Sequence, residues 1–316
     1  MRGFSLESFP YSSFGALLRA DAHKVPTDID PIELESLVSN YGAVLLRGIP
    51  VHLEGFETLT RLFGTPVQAH INLHLERQHH TRQALSRASV GLDGFTRTVN
   101  AGSSAINPHS ESYYSPFCPD LVWFLCKQPP NSFGRTGLCD GVEVLAHLPP
   151  AIRGQYEKLE MVNHSIFDAA IFCALSNIDS IETSFARIRE TRRLDLSWMM
   201  HRDGRFEFTY RAPMIRKTRF GGARAFANNA LGGSGASLDE FKADGRPFRR
   251  SHLEKYGVTP SMADAGLETA ERLMAWISWE RGDLLVLDNT RIMHAREPFL
   301  GGREILVRMS ASRTGN

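Results

Sequence analysis

Four short, almost wholly apolar runs limit how this chain can fold: Ala43-Val44-Leu45-Leu46, Leu121-Val122-Trp123-Phe124-Leu125-Cys126, Leu284-Leu285-Val286-Leu287 and Ile305-Leu306-Val307. Each is too short for a core helix and shows no helical period, so each reads as a strand covered on both faces. Turn residues close them: Arg47-Gly48-Ile49-Pro50, Gln128-Pro129-Pro130-Asn131 and Asp288-Asn289 follow the first three. The runs are spread from one end of the chain to the other, so their pairing needs a sheet assembled from distant segments. With 42% hydrophobic and 22% charged residues, the 316-residue chain has material for a large core.

Helices are expected around these strands. Asp30-Pro31 followed by Ile32, Leu34, Leu37 and Val38 predicts a capped helix ending near Asn40-Tyr41-Gly42. Further helices are predicted over 56–63, over 142–148, from Pro149-Pro150 to about Leu159, and over 267–276. Thr96-Arg97-Thr98-Val99-Asn100 alternates like a strand, and Asp203-Gly204 marks a tight hairpin turn. Between about 163 and 257 the pattern loosens into Arg- and Gly-rich sequence. That stretch is expected to be a lid-like insertion within a single domain, 1–316, folding over the core sheet as a substrate wall.

The formal net charge of +1 gives no reason to expect nucleic acid or a membrane surface as partner. The four cysteines form no C-x-x-C pair and read as reduced thiols. No run approaches the ~18 apolar residues of a membrane span, and the N-terminus has no continuous apolar core; a cytoplasmic location is expected.

The chemistry is concentrated in Asn107-Pro108-His109-Ser110-Glu111-Ser112-Tyr113-Tyr114. In extended chain, residues i and i+2 share a face, so His109 and Glu111 can hold one cation together. Taken alone, an H-x-E is an ordinary surface pair. A second imidazole is available at His294, in a short polar loop after a buried strand. Two histidines and one carboxylate leave half of an octahedral sphere open for a co-substrate and dioxygen, the arrangement of non-haem Fe(II) oxygenases. Arg308 lies on an otherwise apolar strand, where an unpaired guanidinium is costly and a dicarboxylate would satisfy it. Thr136 can add a hydroxyl to the same carboxylate. A denser imidazole cluster, His70, His74, Glu76, His79 and His80, is surrounded by polar residues and reads as a solvated loop rather than a zinc site.

Together these segments resemble the Fe(II)/2-oxoglutarate-dependent TauD/TfdA-like dioxygenases. The likeness runs through Leu45-Leu46-Arg47-Gly48, Pro108 to Tyr113 with Pro116, Leu121 to Pro130, Gly134-Arg135-Thr136 through Asp140, Gly282 to Asn289, His294 to Phe299, and Arg303 to Arg308. It spans about residues 40–312 and is loose over 163–257. The resemblance implies a mainly β fold, a double-stranded β-helix (jelly-roll) core with flanking helices. It implies that His109, Glu111 and His294 ligate iron and that Thr136 and Arg308 grip the distal carboxylate of 2-oxoglutarate. Iron, 2-oxoglutarate and O2 are thus the expected cofactor and co-substrates.

Two departures stand out. Glu111 replaces the Asp of much of the family, a variant associated with oxidation of amino acids or natural-product intermediates. Gly134-Arg135 stands where a Gly-Gly pair is usual. The carboxylate disfavours halogenation. The resemblance implies hydroxylation of a small amino-acid-like compound, free or within a biosynthetic intermediate; desaturation, epoxidation or cyclisation would use the same residues. Asn107, Ser112, Arg211, Asn228 and Arg296 are the expected substrate contacts. The rival readings are a jelly-roll binder that has lost catalysis and a zinc hydrolase built on the 70–80 cluster.

Overall fold

The computed structural model describes residues 3–9, 12–21, 23–67, 88–91, 93–99, 102–176, 178–250 and 256–312. The cluster of His70, His74, Glu76, His79 and His80 lies outside these residues. The first strands are β1 (Phe4–Ser8), β2 (Ala16–Ala20), β3 (Ala43–Arg47), β4 (Gly64–Pro66), β5 (Arg97–Thr98), β6 (Ile106–His109), β7 (Leu121–Gln128), β8 (Ser132–Phe133) and β9 (Thr136–Asp140). The middle of the chain adds β10 (Glu160–Asp168), β11 (Asp195–Met200), β12 (Arg205–Pro213), β13 (Arg216–Lys217) and β14 (Arg224–Ala225). The last are β15 (Ala275–Ile277), β16 (Leu284–Asp288), β17 (Ile292–Arg296), β18 (Phe299–Leu300) and β19 (Glu304–Ser312).

The four apolar runs become the four central strands of the larger sheet, whose order is β1-β2-β3-β16-β7-β19-β4, with β5 also paired to β19. Val286 lies opposite Val44 on one side and Trp123 on the other. One face of this sheet meets the helices Pro31–Tyr41 and Leu53–Leu62 through Leu34, Val38, Phe56, Leu59, Trp123 and Leu306. The other packs Phe124, Leu285, Leu287 and Val307 against Leu138, Ala275, Ile277 and Ile292 of a smaller sheet, ordered β15-β9-β17-β6. Two facing sheets with helices outside make the jelly-roll core.

The first helix forms where expected: Asp30 accepts from the amides of Ile32 and Glu33, and Gly42 ends it at φ 77°. The helix expected over 267–276 instead spans Pro260–Arg272. Thr259 caps it and Pro260 occupies its first turn, while Trp276 belongs to β15. Of the described residues 96–99, Arg97 and Thr98 are paired as strand.

Strands β10, β12 and β11 make a third sheet, its hairpin turned at Gly204 with φ 83°. Its inner aromatics, Phe206, Phe208 and Tyr210, pack in one cluster with Cys139, Met293 and Ala295 from the back of the smaller sheet. Segment 228–236 then runs along the outer edge of β6. There Asn107 donates to the Gly233 carbonyl (3.0 Å), Ala105 to that of Ala236 (2.8 Å) and Gly235 to that of Ala105 (2.9 Å). All four cysteines are free, and among the described residues no helix is long and apolar enough to cross a membrane.

Candidate metal and co-substrate site

His109 ends β6, and its register partner on β17 is His294. This pairing sets the two imidazole rings 4.2 Å apart between centroids. His294 is therefore mid-strand, not in the polar loop that the sequence suggested. Glu111 lies beyond the end of β6, in the turn that follows, so it joins His109 because the chain bends and not through strand alternation. Its Oε2 is 3.8 Å from His294 Nε2, and one ligand atom from each of the three residues lies within 4.8 Å of the others. Nδ1 of His109 donates to the Asn107 carbonyl at 2.8 Å, which leaves the Nε2 lone pair for a cation. Two imidazoles and a carboxylate on one side suit Fe(II).

The Glu111 main chain is pinned by Asn289, a fully buried residue at the end of β16. Asn289 Oδ1 accepts from the Glu111 amide (2.7 Å), and its Nδ2 donates to the carbonyls of Glu111 (3.0 Å) and Pro119 (2.9 Å). Asn289→Ala leaves the Glu111 amide without its acceptor and the carbonyls of Glu111 and Pro119 with only the weak thiol donor of Cys118. It is expected to cost about 2–4 kcal/mol of stability and to weaken iron binding roughly ten- to a hundredfold, read by thermal unfolding and metal titration.

Ser112 holds the carboxylate itself, donating from Oγ to Glu111 Oε1 at 3.3 Å from a backbone at φ 54°. That left-handed conformation strains a residue with a Cβ. Ser112→Ala and Ser112→Gly are both expected to weaken Fe(II) binding, roughly tenfold. The glycine variant should be the more stable of the two, by about 1 kcal/mol; equal stabilities in denaturant melts would contradict the strain.

Both faces of β19 are buried, and its side chains alternate between two layers. Ile305, Val307 and Met309 point between the sheets, whereas Leu306 faces the helices. Arg308 shares the Leu306 side. Its guanidinium forks onto Asp93 with both contacts at 2.9 Å, reaches Thr96 Oγ1 at 2.7 Å, and is 2% exposed. The expectation that Arg308 grips a co-substrate with Thr136 is thus corrected, because alternation turns it to the other layer.

Arg303 takes the place next to Thr136. Its Nη2 donates to Thr136 Oγ1 (3.3 Å), its Nε to the Gly134 carbonyl (3.2 Å), and it has no carboxylate partner among the described residues. Burial, with Arg296 nearby, pushes its pKa down to about 9, so it remains a cation at neutral pH. Thr136 Oγ1 also accepts from Trp279 Nε1 at 2.9 Å, leaving its own O–H to donate. Thr136 pairs with Arg296, two residues along β17 from His294. That offset, about 7 Å along a strand, is within reach of a five-carbon diacid. A recessed guanidinium and a hydroxyl donor near the His–Glu–His tripod fit such a diacid. Arg135, where a second glycine was usual, turns away to Glu297 (Nε to Oε2, 2.9 Å).

The expected substrate contacts mostly do structural work. Asn107 Nδ2 donates to the carbonyls of Leu231 (3.0 Å) and Arg249 (2.6 Å), and its Oδ1 accepts from the Arg249 amide. Asn228 Nδ2 donates to the Met214 carbonyl (2.7 Å), and its Oδ1 accepts from the Ala230 amide. Arg296 donates to the carbonyls of Gly102 and Ser104 ahead of β6. Arg211 is exposed on β12. Arg303, Trp279 and Asn289 were not singled out by the sequence reading.

A family profile described as "Taurine catabolism dioxygenase TauD, TfdA family" matches residues 7–310. The dapdiamide synthesis protein DdaC of Enterobacter agglomerans is 24% identical over 289 residues, covering 87% of this chain and 83% of DdaC. A taurine dioxygenase from Burkholderia xenovorans superposes with a TM-score of 0.60 at 12% identity, over 99% of this chain and 90% of its own. A PvcB described as an Fe, alpha-ketoglutarate dependent oxygenase from an isonitrile synthetic pathway superposes at 0.55 with 14% identity, over 98% and 90%, and PvcB of Pseudomonas aeruginosa at 0.54 with 13% identity, over 98% and 90%. At these identities the superpositions speak for the fold.

Proposed function

The chain belongs to the taurine catabolism dioxygenase TauD, TfdA family, and from that premise we propose that it hydroxylates an unactivated C–H bond of a small amino-acid-like compound. It is an Fe(II)- and 2-oxoglutarate-dependent dioxygenase. In the proposed roles His109, Glu111 and His294 hold the iron, while Arg303 and Thr136, braced by Trp279, seat the far carboxylate of 2-oxoglutarate. Bound iron supplies the oxidising chemistry, coupled to decarboxylation of 2-oxoglutarate to succinate. The protein orients the co-substrate by its charged end, holds the Glu111 carboxylate in place, and surrounds the reacting carbon with apolar wall. Phe124 contributes to that wall, its ring edge-on to His294 at 5.3 Å.

The observation that carries the reading is the Arg303 guanidinium beside Thr136, without a carboxylate partner among the described residues and one short step along β17 from the tripod. The amino-acid-like substrate is supported by Glu111 in place of Asp and by the likeness to DdaC, a synthesis protein by name. The test is succinate release with Fe(II), 2-oxoglutarate and a panel of free amino acids, with product mass read in parallel. One added oxygen signifies hydroxylation, and loss of two hydrogens signifies desaturation. If no amino acid accelerates succinate release, the substrate assignment is wrong while the family stands.

A further inference from the structure

We propose that a cleft on the far side of Trp279 from Thr136 is a second small-molecule site, and that it takes an aromatic carboxylate. The cleft measures about 400 Å³ and lies between the turn carrying Phe133, Gly134 and Arg135, the ring of Phe241 from the helix Leu238–Asp244, and Trp279. That volume is within the range of small-ligand sites. His109, Glu111 and His294 do not line it, so it is distinct from the metal site.

Backbone strain shapes its wall. Phe133 has φ 61° and Gly134 has φ 69°, two left-handed residues in succession. Glycine adopts that region freely, whereas a bulky side chain there is an outlier. Such strain persists where the surrounding structure enforces it, and it gathers at ligand clamps. Here Phe133, at the end of β8, keeps its ring 45% exposed and edge-on to Phe241 at 5.5 Å. With the indole of Trp279 as a third wall, the cleft offers aromatic surface to a flat ring.

Its polar end is Arg135. Nε and Nη2 of this side chain donate to the Glu297 carboxylate at 2.9 and 2.5 Å, and Trp276 covers one face of the guanidinium at 4.9 Å. Glu297 is 2% exposed, whereas the Arg135 side chain is 44% exposed and lines the cleft. Its Nη1 has no partner among the described residues. A ligand therefore meets the donor side of the ion pair. A carboxylate accepts from a guanidinium more strongly than a neutral carbonyl does, and an ammonium finds no acceptor there.

The test titrates the full chain by calorimetry, loaded with Mn(II) and N-oxalylglycine, an unreactive analogue of 2-oxoglutarate, so that the co-substrate seat is filled. Indole-3-carboxylate is expected to bind with a Kd below about 1 mM, and at least about tenfold more tightly than indole-3-carboxamide. Phe133→Gly relieves the strain while removing a wall, so it should fold normally and bind the acid roughly tenfold more weakly. Exchanging the ion pair together, Arg135→Gln with Glu297→Gln, leaves no buried charge alone and should erase the preference for the acid. Acid affinity unchanged in Phe133→Gly would place the compound elsewhere and overturn the site. Equal binding of acid and amide by the unaltered protein, or no binding of the acid at about 5 mM, would overturn the ligand class and the proposal with it.

Discussion

Arg303→Ala is expected to raise the 2-oxoglutarate concentration for half-maximal turnover at least about a hundredfold, and Arg308→Ala to leave it within about threefold. The Arg303 variant loses a charge-assisted pair to a carboxylate, for which 2–3 kcal/mol is a fair magnitude and a hundredfold the equivalent. Its fold should be little changed, because a half-buried cation with no carboxylate partner among the described residues is removed. Arg308 is the reverse case. Its removal takes the buried cation from Asp93 and from Glu57, whose Oε1 is 3.5 Å from the guanidinium, leaves both with the half-exposed Arg61, and should cost about 3 kcal/mol. Steady-state kinetics and urea melts on both variants separate the roles, and equal effects on 2-oxoglutarate would refute the assignment.

Acid adds an independent check on the Arg308 layer. Burial works against ionisation of Asp93, but the Arg308 fork and the Phe95 amide hold its carboxyl well below the usual range. A folded-state pKa below the unfolded ~3.9 means that its stabilisation is complete above that value and is withdrawn as pH falls further. The Arg308→Ala variant should therefore lose less stability than the unaltered protein between pH 5 and pH 2, roughly.

Glu111→Ala is expected to reduce Fe(II) affinity by more than about two orders of magnitude and to abolish 2-oxoglutarate decarboxylation. With the carboxylate gone, two imidazoles remain to hold a cation. Glu111→Asp is the sharper experiment. It keeps the donor but draws it back by one methylene, away from Ser112 Oγ and from His294, whose Nε2 lies 3.8 Å from Oε2. Anaerobic iron titration should place the Asp variant between the Ala variant and the unaltered protein. Affinity unchanged in Glu111→Ala would remove Glu111 from the iron site.

The sequence was legible wherever residue type alone decided the matter. The runs at β3, β16, β7 and β19 are apolar on both faces because both faces are covered, and they are the four adjacent central strands. The same property hid the arginine proposed to seat the co-substrate. Arg303 lies just before β19, across a register shift at Glu304/Ile305, so alternation along the strand does not reach it. With both faces of β19 apolar, only the packing separates it from Arg308. His109, Glu111 and His294 were found by their donor chemistry, yet the local geometry differed: one imidazole is mid-strand and the carboxylate sits in a turn. Asn289 was invisible because its work is done entirely on backbone groups. Asn107 and Asn228 misled for the same reason.

The backbone ladder between β6 and residues 233–236 limits how this scaffold can be redesigned. A chimera that imports a relative's middle segment to gain new substrates would also replace the outer seam of the strand that bears His109. Grafts cut so as to retain 228–236 should keep their iron, whereas exchanges that include it would be expected to lose metal before any new selectivity could be observed.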